Sequence, residues 1–282
     1  MKKRYLIAVS GGVDSVVLLD KMVKDGREVE VAHFDHGTRD DSAADARFVK
    51  ELAKKCGVPF ISKREELGRE AGEDLFRKRR YAFLFEEAKK RHATLATAHH
   101  KDDAIETIAI NILRGTGWRG LAVFDSGRVE RPLLSMTKQD IREYALTHRL
   151  EWVEDSTNAS DDYLRNRLRR RIARALTETQ KDELVALWQK QVTLKRDIDK
   201  ELAAYISTDT PYDRYFFTYI DESVACEVLR AAVTSRTHQS PLRSQLLRAL
   251  VAIKTAKAGA TFELGGGVEL VFTKRNFIVQ TP

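Results

Sequence analysis

Residues 10–15 read Ser-Gly-Gly-Val-Asp-Ser and stand between a short apolar run and a segment with helical periodicity. Glycines allow a sharp turn that brings bare N–H groups toward an anion. A helix N-terminus adds unpaired donors at the positive end of its dipole. The segment therefore predicts a phosphate-binding loop, with a plain glycine turn and an aspartate cap as the alternative. The predicted binding residues are Ser10, Gly11, Gly12, Val13, Asp14 and Ser15.

Asp14 is the unusual member of this loop, because a bare carboxylate beside phosphates repels them. Its presence is explained if it faces a Mg²⁺ ion or a substrate group. No lysine follows the second glycine, so the loop differs from the Walker A pattern. Asp14 is therefore a candidate for chemistry as well as for binding.

A second polar segment follows a predicted strand, where two histidines lead into a helix that carries Asp103 and Glu106. These two carboxylates are three residues apart and share one face of the helix. They could hold Mg²⁺ or a substrate amine; the alternative is a pair of solvated acids favoured by the helix dipole. The spacing of acids and cysteines around His99 and His100 does not complete a zinc site.

A basic run at residues 165–174 offers a surface for a polyanion. Arginine binds phosphate through paired hydrogen bonds, and no acid interrupts the run. We predict contact with RNA there, with a solvated, salt-bridged helix face as the alternative. The arginines of this run are Arg165, Arg167, Arg169, Arg170, Arg171 and Arg174.

The elements that must position these residues alternate between short apolar runs and amphipathic segments. This pattern predicts an α/β fold, a Rossmann-like parallel sheet with helices on both faces. Ligands bind such sheets beyond the carboxyl ends of the strands, where helix N-termini converge. The predicted strands are 5–9, 29–34, 59–62 and 93–98, and the predicted helices are 13–24, 42–55, 75–90, 102–113 and 138–148. On the apolar faces of two of these helices we place Leu75, Phe83, Leu84 and Ile112.

The remainder of the chain predicts a second, smaller domain. Charged helices at 163–176 and 178–205 precede a Ser-Thr-Asp-Thr-Pro segment typical of a linker. We therefore assign residues 1–206 to the domain that carries the candidate site and its basic helices, and residues 207–282 to a small α+β domain. Within the second domain we predict helices at 222–235 and 242–257, a β-hairpin in 261–272 and a strand at 277–280.

Composition limits the class of protein. The 282 residues are 32% charged with a net charge of +7, which fits a globular protein and permits a polyanionic partner. Two distant cysteines exclude a disulfide framework, a four-cysteine zinc site and a cysteine-held iron–sulfur cluster. No run approaches the ~18 apolar residues of a membrane span. We expect a cytoplasmic protein without a membrane partner, and a homodimer is one of the assembly states that the sequence allows.

The 10–15 loop resembles the PP-loop of the ATP pyrophosphatase superfamily, whose members adenylate a substrate and release pyrophosphate. Further segments, in order, resemble one family of that superfamily, the tRNA(Ile)-lysidine synthetases, in their short form. The matching segments are 33–39, 77–81, 96–107, 114–121, 131–134, 154–158 and 163–169. The chain departs from the family pattern at Thr38, where leucine is commoner, and in residues 172–176, which lack the proline that usually follows the last arginine motif closely.

The resemblance implies a role for each candidate. ATP would bind at residues 10–15, with Asp14 near the reacting phosphate, and the incoming lysine would bind at Asp103 and Glu106. Mg²⁺ is the implied cofactor, held by Asp14 or Asp103.

Arginines complete the site that the resemblance implies. Arg77 and Arg80 would bind phosphates or the lysine carboxylate, and Arg114 with the glycines after it would shape a cytidine pocket.

The implied reaction is the ATP-dependent ligation of L-lysine to C2 of the wobble cytidine of tRNA(Ile) with a CAU anticodon. It passes through an adenylated cytidine, releases AMP and pyrophosphate, and changes codon specificity from AUG to AUA. The alternatives are another PP-loop tRNA-modifying enzyme of the thiolase type, or a non-catalytic RNA-binding relative. The scarcity of cysteine disfavours the first, and the intact carboxylates Asp14, Asp103 and Glu106 disfavour the second.

Overall fold

The computed structural model describes residues 3–37, 42–66, 72–125, 127–154, 176–206, 211–237 and 240–281. The chain forms two compact units, one of Met1–Thr116 with Gly120–Gln189 and the other of Gly117–Arg119 with Lys190–Pro282. The division at Gln189 falls inside a long helix, and the domain boundary at residue 206 stays a prediction. Across the described ranges, no helix is both long enough and apolar enough to cross a bilayer.

The first unit alternates strands and helices. In chain order the elements are β1 (Arg4–Ala8), α1 (Val13–Lys24), β2 (Glu28–Asp35), α2 (Ser42–Lys55), β3 (Phe60–Arg64), α3 (Glu73–Lys90), β4 (Thr94–Ala96), α4 (Lys101–Leu113), a 3₁₀ turn (Trp118–Leu121), β5 (Val129–Glu130), α5 (Lys138–Thr147) and the start of α6 (Glu178–Tyr205).

The strands of this unit form a five-stranded sheet in the order β3-β2-β1-β4-β5, and every neighbouring pair is parallel. Tyr5 of the central strand pairs with Val29 on one side and Thr94 on the other. Parallel strands end at the same edge, so the segments after β1, β4 and β5 lie next to one another. The predicted α/β class is confirmed.

Apolar cores on both faces of the sheet are divided by the alternation of side chains along β1. Tyr5, Ile7 and Val9 pack with α1, α2 and α5 on one face. Leu6 packs with Phe83 and other residues of α3 on the opposite face. The helices on both faces therefore follow from a strand that is apolar from Tyr5 to Ala8, as expected for a central parallel strand.

Two residues assigned to the core are exposed. Leu75 is 43% exposed in the first turn of α3, and Ile112 is 51% exposed in the last turn of α4. Both helices extend past the apolar core at these ends, whereas Phe83 and Leu84 in the middle of α3 are buried as predicted.

The second unit contains a four-stranded antiparallel sheet with helices. After α6 come β6 (Tyr212–Asp213), α7 (Arg214–Tyr219), α8 (Glu222–Thr237), α9 (Arg243–Thr255), β7 (Thr261–Gly265), β8 (Val268–Phe272) and β9 (Asn276–Gln280). The strand order is β6-β9-β8-β7. The predicted hairpin and third strand are present, while β6 and α7 were not predicted because each is short. Phe217, Phe272 and Phe277 are fully buried at its core.

Candidate functional site

The predicted phosphate loop connects β1 to α1, and its shape is set by one buried hydroxyl. Gly11 has φ of 100°, a conformation that favours glycine. Ser15 Oγ donates to the carbonyl of Gly12 at 2.8 Å and accepts from the N–H groups of Ser10 and Gly11, both at 3.2 Å. Ser15 therefore holds the turn together from inside, while Ser10 is exposed at the surface of the loop.

The back of the loop is covered by two other segments. A Cβ atom on Gly11 would lie 3.5 Å from Val49, 3.6 Å from Phe48 and 3.7 Å from Val153. Val153 also donates its N–H to the carbonyl of Gly11 at 3.0 Å. The loop is thus packed on one side, which fixes the direction in which its front can meet a ligand.

The front of the loop combines helix donors with an ion pair. The N–H groups of Val13 and Asp14 precede the hydrogen-bond ladder of α1 and can donate to an anion. The carboxylate of Asp14 is held by Lys138, whose Nζ lies 2.5 Å from Oδ1 and 2.7 Å from Oδ2. Both side chains remain partly exposed, Asp14 at 31% and Lys138 at 40%.

Three helices begin at this place. Lys138, the first residue of α5, donates its backbone N–H to Oδ2 of Asp102 at 2.7 Å. In return, Lys101, the first residue of α4, donates its backbone N–H to the carbonyl of Met136 at 2.9 Å. The starts of α4 and α5 are therefore tied to each other, and Lys138 ties both to the start of α1. Their positive dipole ends converge, as an anion site requires.

The helices α1 and α5 run side by side in the same direction. Asp14 meets Lys138, and six residues further along each helix the carboxylate of Asp20 accepts a hydrogen bond from the Tyr144 hydroxyl at 2.8 Å. This shared register keeps the two N-termini level with each other. It explains why a residue 124 positions along the chain reaches the phosphate loop.

The two carboxylates of α4 have different environments. Asp103 Oδ2 accepts the backbone N–H of His100 at 3.0 Å, which caps the start of α4, and its side chain is 13% exposed. Glu106 is 3% exposed. Neither acid is a solvated helix-start residue, and Asp103 has a structural task at the helix end where the three N-termini meet.

A cluster of positive side chains lies along α3. The ring of Tyr81 is contacted by the guanidinium groups of Arg77 at 5.1 Å and Arg80 at 5.8 Å. Burial lowers the pKa of His36 to about 4, and the positive charge of Arg80 adds to this effect. Burial also lowers the pKa of Arg131, with a further contribution from Arg77. The arginines can bind anionic groups, and burial, helped by Arg80, keeps His36 neutral at physiological pH.

Arg114 is separated from the phosphate loop by the length of α4. Arg114 caps the C-terminal end of α4, about 20 Å along the helix from the end that carries Asp103. The arginines at positions 165, 167, 169 and 170 lie outside the described residues. Contacts of these residues with tRNA stay predictions.

The suitability of this site for Mg²⁺ depends on a single carboxylate. In the described part of the chain, no group of three or more His, Cys, Asp or Glu side chains is arranged to hold a metal ion. Mg²⁺ in nucleotide sites is commonly held by one or two carboxylates together with substrate phosphates. The partly exposed Asp14 beside the anion donors fits that pattern.

Residues 1–176 match a protein-family model described as a PP-loop domain. The chain belongs to the PP-loop family. Its phosphate loop at residues 10–15 lies inside the matched region, as do α4 and α5 with Asp102, Asp103 and Lys138.

Within the PP-loop family, the chain is similar to relatives named tRNA(Ile)-lysidine synthase. A tRNA(Ile)-lysidine synthase of Exiguobacterium sibiricum is 36% identical over 210 residues, covering 69% of this chain and 50% of the relative. One of Thermus thermophilus is 41% identical over 176 residues, covering 60% of this chain and 34% of the relative. The resemblance drawn from the motifs is confirmed, and the chain spans half or less of the length of these relatives.

Among solved structures, a U34-tRNA thiolase NcsA from Methanococcus maripaludis, with its [4Fe-4S] cluster, has a TM-score of 0.55. It is 15% identical, and the match covers 68% of this chain and 72% of that chain. At this level of identity the likeness concerns the fold alone.

Sequence analysis missed the contribution of α5 to this PP-loop site. It predicted the helix but gave Lys138 and Asp102 no role. One signal was available, since a lysine at the first position of a helix opposes the helix dipole, which favours acids there. Such a residue is a candidate for an interaction outside its own helix.

Proposed function

We propose that this PP-loop chain is an ATP-dependent ligase that joins L-lysine to C2 of the wobble cytidine in tRNA(Ile) with a CAU anticodon. One observation carries the proposal: the phosphate loop, Asp14 and the starts of α1, α4 and α5 converge at one edge of the sheet. The ordered motifs and the name of the similar relatives support the choice of substrate.

In the first step, the C2 oxygen of cytidine attacks the α-phosphorus of ATP. The bond between the α-phosphorus and the bridging oxygen to the β-phosphate breaks, and pyrophosphate leaves. The N–H groups at the start of α1 hold the phosphates, so that positioning and fixed dipoles lower the barrier. Asp14 would hold Mg²⁺, which neutralises charge on the phosphates when bound.

In the second step, the ε-amine of lysine attacks C2, the C2–O bond breaks and AMP leaves. The amine must lose a proton before or during the attack, and Asp14 and Asp103 are the candidate acceptors. Asp103 and Glu106 would bind the lysine ammonium before reaction. Arg77 and Arg80 would bind the lysine carboxylate or tRNA phosphates.

Recognition of the tRNA would involve residues away from the phosphate loop. Arg114 and the glycines that follow it would shape the cytidine pocket, and the arginines at 165, 167, 169 and 170 would contact the RNA backbone. These contacts predict that binding weakens as salt concentration rises.

The decisive experiment incubates the purified chain with ATP, labelled lysine and a CAU-anticodon tRNA(Ile) transcript. We expect label in the RNA, one AMP and one pyrophosphate per lysine, and a nucleoside with the mass of lysidine. A transcript with uridine at the wobble position and the Asp14→Ala variant serve as controls. Pyrophosphate release without label in the RNA would defeat the lysine assignment.

A further inference from the structure

Lys138 occupies a position that local energetics do not explain. It is the first residue of α5, where the positive end of the helix dipole disfavours a cation. Its ion pair with Asp14 is partly exposed, and such pairs contribute little to stability. The two effects roughly cancel, so stability gives no reason for a lysine here.

The contact between α1 and α5 does not depend on this ion pair. Val17 of α1 and Ile141 and Ala145 of α5 are fully buried in the same apolar core. The Tyr144–Asp20 hydrogen bond joins the same two helices further along. An additional charged contact at their N-terminal ends is therefore unnecessary for docking.

The position of Lys138 does suit polyphosphate binding. The loop at 10–15 lacks the lysine that a Walker A loop provides, yet the Nζ of Lys138 lies within 2.7 Å of both Asp14 oxygens at the front of the loop. The backbone of Lys138 is fixed by its bond to Asp102, while its side chain is 40% exposed. The ammonium can move to a nearby anion by side-chain rotation alone.

We propose that Lys138 is the phosphate-binding lysine of this site, supplied by α5 instead of by the loop. Without nucleotide, its ammonium neutralises Asp14. With nucleotide, the ammonium transfers to the polyphosphate and releases the Asp14 carboxylate for Mg²⁺. The inference rests on the proposed ATP-dependent function and adds a residue to it.

The test compares wild type with Lys138→Met and Lys138→Arg in titrations with Mg·ATP, Mg·pyrophosphate and adenosine. For Lys138→Met we expect ATP and pyrophosphate to bind about 10-fold or more weakly, with adenosine affinity unchanged. Lys138→Arg should stay within about 3-fold of wild type, because it keeps the charge. Tyr144→Phe, which also changes an α5 side chain in contact with α1, is the matched control and should bind all three ligands as wild type does.

Two outcomes would overturn the role of Lys138. Unchanged ATP and pyrophosphate affinity in Lys138→Met would show that the lysine does not reach the phosphates. An equal loss for adenosine, ATP and pyrophosphate would show that the substitution disturbs the whole site. A thermal unfolding curve of each variant identifies loss of fold.

The same variants separate this inference from the proposed function. Wild type that binds ATP through Lys138 but transfers no lysine to RNA supports the role of Lys138 and defeats the ligase. Lysidine formation at wild-type rate and ATP affinity in Lys138→Met supports the ligase and defeats the role of Lys138. Wild type without nucleotide affinity defeats both.

Discussion

Helices α1 and α5 meet at two polar contacts, and each contact uses a different aspartate of α1. The two contacts differ in the groups that surround them. Asp14 faces Lys138 where both helices begin, beside the phosphate loop. Asp20 faces Tyr144 six residues further along. At the first contact, the ion pair is partly exposed and lies beside the N–H groups of Val13 and Asp14 at the start of α1. At the second, protein groups already surround the partners. The difference shows that position along the helix pair determines which aspartate is available for chemistry.

The Asp20 end is satisfied within the protein. Lys24 Nζ lies 2.8 Å from Asp20, and Lys21 Nζ lies 4.8 Å from the centre of the Tyr144 ring. The ring of His148 stacks on Tyr144 with centroids 3.9 Å apart. Burial raises the pKa of the Tyr144 hydroxyl, and its bond to Asp20 raises it further. This end therefore holds the helices together.

The largest effect should come from exchanging the two aspartates in turn for alanine. Asp14→Ala should lower the rate of lysine transfer by about 100-fold or more, because it removes the carboxylate that we propose lies beside the reacting phosphate. Asp20→Ala, a matched change on the same helix, should keep the rate within about 3-fold. It should instead lower the free energy of unfolding by about 1 kcal/mol through loss of the Tyr144 bond.

Single-turnover rates and denaturant unfolding of both variants provide the measurement. Equal rate losses for Asp14→Ala and Asp20→Ala would contradict the comparison, since the site would then depend on the helix pair as a whole.

The two glycines that flank α1 give the next largest contrast. Gly11 and Gly26 both have positive φ, 100° and 67°. Alanine at either position is strained by about 1–3 kcal/mol. A Cβ at Gly11 also meets Val49, Phe48 and Val153, whereas a Cβ at Gly26 meets no atom within 4 Å. We expect Gly11→Ala to weaken ATP binding about 10-fold or more and Gly26→Ala to leave it unchanged.

Calorimetric titration with ATP, alongside thermal unfolding, distinguishes the two glycine variants. If Gly26→Ala weakened ATP binding as much as Gly11→Ala, general destabilisation and not the loop would explain the loss.

A smaller effect is expected from Asp102, which fixes the start of α5. Asp102→Ala removes the acceptor for the Lys138 N–H and should lower stability by about 1 kcal/mol. The Lys138 side chain would then be less well placed, so the KM for ATP should rise a few-fold with little change in kcat. Asp102→Asn keeps an acceptor oxygen and should recover most of the loss. An unchanged KM in Asp102→Ala would mean that α5 is positioned without this cap.

The contrast between the two helix ends also explains what could be predicted from sequence. The helix 13–24 and the sheet class follow from local periodicity, and the phosphate loop is a contiguous motif. The pair of Asp14 and Lys138 joins residues 124 positions apart, and only the parallel crossover of the sheet brings them together. The two-residue β5 exists through pairing with β4 and has no periodicity of its own.

The α4 acids show a second limit of sequence reasoning. Spacing placed Asp103 and Glu106 on one face, and the structure agrees with that face. Spacing alone does not reveal that Asp103 caps the helix by accepting the His100 N–H, or that Glu106 is buried. Burial depends on what packs over α4, which is contributed by distant segments. The family resemblance implied a cytidine pocket at Arg114, which lies at the C-terminal end of α4, and that role stays a prediction.

The smallest predicted effect comes from Tyr144→Phe, which tests the structural end of the helix pair by itself. The substitution removes one hydroxyl and keeps the ring that contacts His148 and Lys21. Loss of the bond to Asp20 should cost about 0.5–1.5 kcal/mol of stability. Asp20 keeps Lys24 as a partner, so no buried charge is left unpaired. Because the apolar contacts of α1 and α5 still hold their N-termini level, lysine transfer and ATP affinity should remain at wild-type values. A clear loss of ATP affinity in this variant would mean that the Tyr144 bond itself sets the register of Lys138 against Asp14, and the two ends of the helix pair would then form one functional unit.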